Sequence, residues 1–143
     1  MQLSPHFTLE ELTLSQTADR KGLDNTPNAP IINNLTITAA NLENVRKLLG
    51  SPIVISSGFR SPAVNRAVGG VATSAHTQGW AVDFICPAFG SPKEIVDAIK
   101  AEGIKLDQCI EEGTWVHISF APAMRIIYLK ATFKNGVAYY TTY

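Results

Sequence analysis

The feature that most limits the fold is a change of hydrophobic period along the chain. After Pro30, the residues Ile31, Leu35, Leu42, Val45 and Leu49 recur at spacings of three, four and seven, which puts them on one face of a long helix. Gly50 and Pro52 stop that helix. Beyond it the apolar runs are short and strand-like: IVIS at 53–56, WAVDFI at 80–85, and strands expected at about 104–111, 115–120, 127–133 and 137–142. Asn135-Gly136 lies between the last two and signals a hairpin, because a type I′ turn needs positive φ at both central residues.

Shorter helices frame this pattern. Thr8 caps one near the N-terminus, with Glu10 and Glu11 at the positive end of its dipole. Ser61-Pro62 opens a second, ended by Gly69-Gly70, and Ser91-Pro92 opens a third that Gly103 closes. Residues 15–30 are polar and punctuated (DNTPNAP), which reads as a loop. Helices come first and strands dominate the last third. The class is therefore α+β, with N-terminal helices packed on a mainly antiparallel sheet, in a single domain spanning 1–143.

Composition excludes several roles. A 45% hydrophobic and 17% charged chain suits a globular protein with a core. Net charge is zero, so no basic surplus exists to neutralise nucleic acid. No run reaches the roughly 18 apolar residues of a membrane span. The start, MQLSPHFTLEEL, lacks a basic region followed by an apolar one, so synthesis in the cytoplasm without a signal peptide is expected. Cys86 and Cys109 sit in apolar stretches and read as buried thiols rather than a disulfide framework. A monomer is expected.

Chemistry concentrates around two of the three histidines, His76 and His117; His6 has no histidine or acidic neighbours and reads as a surface residue. On a strand Trp115–Phe120, alternation sends Val116, Ile118 and Phe120 to one face and Trp115, His117 and Ser119 to the other. His117 thus looks away from the core, into a groove or solvent. Asp83 stands between Val82 and Phe84, where a buried charge needs a partner. An arginine, Arg60 or Arg66, would serve, and so would a metal cation. His76, seven residues earlier, precedes Gly79 in a loop that can return its imidazole to the carboxylate. Two imidazoles and one carboxylate suit a zinc site with an open position. Each residue alone also has an ordinary structural reading.

The string SGFRSPAVNRAVGGVATSAHTQGWAVDF resembles the S-G-[YF]-R-S-P…N…V-G-G…S-x-H-x-x-G-x-A-x-D signature of the M15 family of zinc peptidases, and TWVHISF resembles its second signature, W-V-H-[IV]-S. LSPHFTLEEL and DNTP also look like the N-terminal part of small M15 members, so the resemblance runs from about residue 4 to 120, and the tail from 121 to 143 adds little. The family includes D-Ala-D-Ala carboxypeptidases and phage endolysins. The resemblance implies an M15/hedgehog-like peptidase fold with a zinc cleft. It implies one zinc ion held by His76, Asp83 and His117. Arg60 would stabilise the substrate carbonyl or the oxyanion, Ser74 would support the ligand loop or touch substrate, and Trp115 would wall the cleft.

The family also places an acidic residue shortly before the last histidine, at variable spacing. Glu111 and Glu112 both qualify; if Gln108, Ile110 and Glu112 share a face, Glu112 ends the strand at the turn and is the choice for general base. Ser57, Ser61 and Ser74 have no free histidine to activate them if both site histidines bind metal, so a serine hydrolase is a poor reading. The implied substrate is a peptide of bacterial peptidoglycan, cut beside a D-residue or at an L-Ala-D-Glu bond. The implied setting is the cell wall, reached after release, with a phage or prophage origin. The alternatives are a catalytically silent zinc domain that binds a partner, a phage structural protein, and a plain α+β domain without metal.

Overall fold

The computed structural model describes residues 1–143. The chain begins with a small antiparallel hairpin, β1 (Gln2–Ser4) and β2 (Phe7–Thr8), which leads into helix α1 (Leu9–Thr13). Thr8 Oγ1 accepts the Glu11 N–H at 3.1 Å and Glu11 Oε1 accepts the Thr8 N–H at 3.4 Å, a reciprocal cap. Residues 15–30 are not all loop. Helix α2 (Gln16–Lys21) lies among them, capped by Ser15 and closed by Gly22 at φ 66°. A six-residue helix with one buried side chain, Ala18, has almost no hydrophobic period to display in sequence.

Helix α3 (Ala29–Leu49) has Asn28 as its cap, Pro30 in its first turn and Gly50 at its end. Its buried face carries Leu35, Ala39, Leu42, Val45 and Leu49. There follow β3 (Val54–Ser57), α4 (Pro62–Ala67), a 3-10 turn (Ala75–Gln78), β4 (Ala81–Ile85) and α5 (Pro92–Glu102). The last third holds β5 (Gln108–Glu111), β6 (Val116–Ser119), β7 (Ile127–Lys134) and β8 (Val137–Thr142). Residues 104–107, expected in a strand, precede β5 as irregular chain. No helix is long and apolar enough to cross a membrane.

Strands β3 to β8 form one sheet in the order β3-β4-β6-β5-β7-β8. The sheet is mixed: β5 and β7 are parallel and the other pairs antiparallel. The parallel pair arises because the turn after β6 carries the chain past β5 to its other edge. Register aligns Asp83 with His117, His117 with Ile110, Ile110 with Leu129, and Leu129 with Thr142. Alternation then sorts the faces. Val82, Phe84, Cys109, Val116 and Ile118 turn to the helical side and join a core of 20 buried residues that includes the apolar faces of α3 and α5. Both cysteines are free and buried, and burial pushes the Cys109 thiol up to about 12, so it stays protonated. His6 is exposed and pairs with Glu43 at 2.7 Å.

One ion pair fixes where β7 starts. Asp107 is buried, and its carboxylate accepts three bonds from Arg125: from the backbone N–H at 3.0 Å, Nε at 2.9 Å and Nη2 at 2.8 Å. Met124 (φ 43°) and Ile126 (φ 57°), on either side of Arg125, hold left-handed backbone that non-glycine residues seldom adopt. The Arg125 bonds hold the Asp107 carboxyl below its ordinary pKa. A lowered pKa means that the clamp stabilises the fold above the unfolded value of about 3.9 and is lost as pH falls through the folded value. Asp107→Asn is therefore expected to lower the urea midpoint at pH 7, and the gap to wild type should narrow below about pH 3.9. A gap that stays constant across that range would show that the carboxylate charge is irrelevant.

Candidate metal centre

Three elements bring the candidate ligands together. Asp83 on β4 and His117 on β6 are directly opposed across an antiparallel pair, on the face away from the helices. Strand alternation therefore applies to Asp83 as well: its neighbours Val82 and Phe84 are fully buried while the carboxylate emerges on the open face. His76 reaches the same point from the 3-10 turn. Ser74 Oγ accepts the His76 N–H at 3.3 Å, and Thr77 Oγ1 donates to Ser74 O at 2.7 Å.

Helix α3 braces this turn. Asn34 Nδ2 donates to Gln78 O at 2.8 Å and the buried Thr38 Oγ1 donates to Gly79 O at 2.7 Å. Gly79 sits at φ 79°, and a Cβ there would lie 3.1 Å from Leu35 Cγ. Glycine meets both demands, a left-handed backbone and close approach to a helix.

The result is a cluster of ligand atoms all within 4.8 Å of one another. Asp83 Oδ1 lies 3.2 Å from His76 Nε2 and 3.0 Å from His117 Nδ1. Bonds of about 2.0–2.1 Å to a tetrahedral zinc separate neighbouring donors by about 3.3 Å, so the spacing fits. No arginine forms an ion pair with Asp83; the two imidazoles face it instead.

Protonation supports the same fit. His76 Nδ1 lies 2.8 Å from Gly58 O, and a carbonyl only accepts, so Nδ1 carries a proton. A hydrogen bond from Nε2 to Asp83 would then require a charged imidazolium. Burial opposes that and pushes the His76 pKa down, against the pull of Asp83. A neutral His76 turns its Nε2 lone pair towards a carboxylate, an arrangement that a cation between them satisfies. Burial raises the Asp83 carboxyl, but positive charge in the cluster and the imidazole hydrogen bonds outweigh it, so the carboxylate is ionised where a proton on a histidine or a cation supplies that charge. The Gly58 carbonyl is an orienting partner that the sequence did not reveal.

The cluster opens into a cleft that also contains Arg60, Ser74, Glu112 and Trp115. Arg60 Nη2 donates to Ser74 Oγ at 3.3 Å, while its Nε is buried without a hydrogen-bond partner. Burial lowers the Arg60 pKa and the Asp83 carboxylate partly offsets this. Register separates the two glutamates. Glu111 is opposite Val116, whose side chain is in the core, and its carboxylate accepts the Gly113 N–H at 2.8 Å. Glu112 falls on the cleft side with Gln108 and Ile110. Burial raises the Glu112 pKa; the Asp83 and Glu111 charges add to that and His117 opposes it. Leu129, Phe133 and Tyr140 line the cleft as well, although they lie in the tail that the motifs left unassigned.

Two imidazoles and one carboxylate, gathered beside a second carboxyl of raised pKa, form a cluster that could hold a metal ion. A family model described as Peptidase M15 matches residues 5–119, and the chain belongs to that family, whose members are zinc-dependent hydrolases. Comparison with curated proteins returns no match.

Protein purified without an affinity tag is expected to carry about one equivalent of zinc by elemental analysis. His117→Ala should drop this well below half an equivalent, and chelation should lower the melting temperature of wild type but not of the variant. Full zinc content in His117→Ala would remove that residue from the ligand set.

Proposed function

We propose that this Peptidase M15 member hydrolyses peptide bonds in the stem or cross-link peptides of bacterial peptidoglycan, acting at the wall after release. The observation that carries the proposal is the sharing of one cleft by the His76–Asp83–His117 cluster and the buried carboxyl of Glu112. The resemblance of SGFRSP…SAHTQGWAVD and WVHIS to the signatures of wall-cleaving M15 enzymes supports the substrate class.

His76, Asp83 and His117 would hold one zinc ion. Bound there, zinc supplies a Lewis acid that makes water nucleophilic near neutral pH. Glu112 takes the proton from the attacking water on its carboxylate and passes it to the leaving amine nitrogen. Its raised pKa shortens the gap between the two roles. Arg60 donates to the oxygen on which negative charge develops, from a site where burial strengthens the interaction. Ser74 holds the ligand turn and the Arg60 guanidinium through its Oγ.

Purified peptidoglycan treated with wild type should release fragments with new amino termini, identified by mass spectrometry. Glu112→Gln should lower kcat by about 10²- to 10⁴-fold with zinc retained. Glu111→Gln should change it little, because that side chain caps the β5–β6 turn. Zinc bound at full stoichiometry with no turnover on any wall peptide would mark a silent binding domain instead, and activity lost in Glu111→Gln but kept in Glu112→Gln would reverse the base assignment.

A further inference from the structure

The β7–β8 hairpin lies beyond the family match, which ends at residue 119, yet it forms one side of the metal cleft. Its cleft face follows from register. Leu129 aligns with Ile110 and, through it, with His117. Alternation adds Ala131 and Phe133 on β7, and their β8 partners are Tyr140 and Ala138. Tyr139 pairs with Thr132 and faces the other way. Phe133 is 48% exposed and Tyr140 53% exposed, with no helix laid over them. Phe133 also meets Trp115, with ring centroids 6.2 Å apart and planes tilted by 46°. An open aromatic shelf thus runs from beside Glu112 and the metal cluster out to the edge strand.

Aromatic rings left half in water at a binding cleft offer large, rigid contact area at low entropic cost. Their faces suit planar peptide groups and small apolar side chains. Partial burial raises the Tyr140 pKa, and the Glu112 and Asp83 carboxylates across the cleft raise it further, so the hydroxyl keeps its proton and can donate. We propose that Trp115, Phe133 and Tyr140 form the substrate-selecting wall of this cleft. The rings pack along a peptide chain carrying small apolar side chains, and Tyr140 donates a hydrogen bond to one of its carbonyls. The proposal rests on the peptidase reading above and adds a specificity element from outside the matched region.

Tyr139 and Tyr140 provide a built-in control, since they are adjacent, equally exposed at 53%, and on opposite faces of the same strand. Steady-state kinetics on purified muropeptides would be measured for wild type, Phe133→Ala, Tyr140→Ala, Tyr140→Phe and Tyr139→Ala, each with zinc content checked. In parallel, calorimetric titration of the same muropeptides into zinc-loaded Glu112→Gln, alone and combined with each change, gives Kd without turnover. Phe133→Ala and Tyr140→Ala are expected to raise KM and Kd about 3- to 10-fold with kcat within about twofold. Tyr140→Phe should lose only the hydrogen-bond share, and Tyr139→Ala should match wild type.

Equal effects of Tyr139→Ala and Tyr140→Ala would show a loss of hairpin stability and overturn the proposal. So would unchanged Kd in both Phe133→Ala and Tyr140→Ala. If wild type cleaves no muropeptide, the peptidase reading falls and the Kd series alone decides the wall. If muropeptides do not bind either, both are wrong.

Discussion

Register between β4 and β6 carries the candidate metal centre. Asp83 and His117 are opposite each other, and a slip of one residue would send one of them to the helical side. What prevents the slip is the other face of the same strands. Val82, Phe84, Val116 and Ile118 are fully buried there, and exposing each would cost about 1.5–3 kcal/mol. Together that rivals the whole stability of an ordinary domain, about 5–15 kcal/mol. The apolar core therefore sets the geometry of the polar site, and Asp83 and His117 need contribute little to holding themselves in place.

The third candidate ligand depends on a different contact. His76 is not on the sheet, and its position relies on α3 reaching the 3-10 turn through Asn34, Thr38 and the bare face of Gly79. The longest helix thus has two tasks. Its apolar stripe covers the sheet, while polar residues near its N-terminal half hold the loop that completes the cluster. Gly58 finishes the arrangement by fixing the His76 tautomer through its carbonyl. Its backbone is also in close packing, since a Cβ on Gly58 would lie 2.3 Å from Leu12 O.

Much of this was legible in the sequence where a local rule applied. The α3 face, the caps at Thr8, Ser61 and Ser91, the Asn135-Gly136 turn and the outward aspect of His117 all follow from short-range periodicity. What stayed hidden depends on long-range pairing. The supposition that Gln108, Ile110 and Glu112 share a face depends on strand pairing that no local pattern displays, and register with Val116 turns Glu111 to the core side. The same reason hid the tail: Leu129, Phe133 and Tyr140 alternate correctly along their strands, but nothing local says which other strand they join. Asp83 illustrates a partial success. Its need for a partner was read from its place between two apolar residues, and its carboxylate, on the face opposite theirs, meets two imidazoles there, which the sequence left open. Helix α2 and the β1–β2 hairpin are too short to show a period at all.

The contrast between the two halves of the sheet has a consequence for how the protein breathes. On β7 and β8 only Ala131 is buried, and β8 is an edge strand, so the hairpin is held by its own ladder, by the parallel pairing of β7 with β5 and by the Asp107–Arg125 clamp at its base. Local opening draws on regions with few buried contacts. The cleft consequently combines a floor of fully buried strands, on which Asp83 and His117 stand, with a wall whose side chains are mostly exposed. Exchanging exposed residues of that wall removes little buried area, so the hairpin can change its cleft chemistry at small cost to folding.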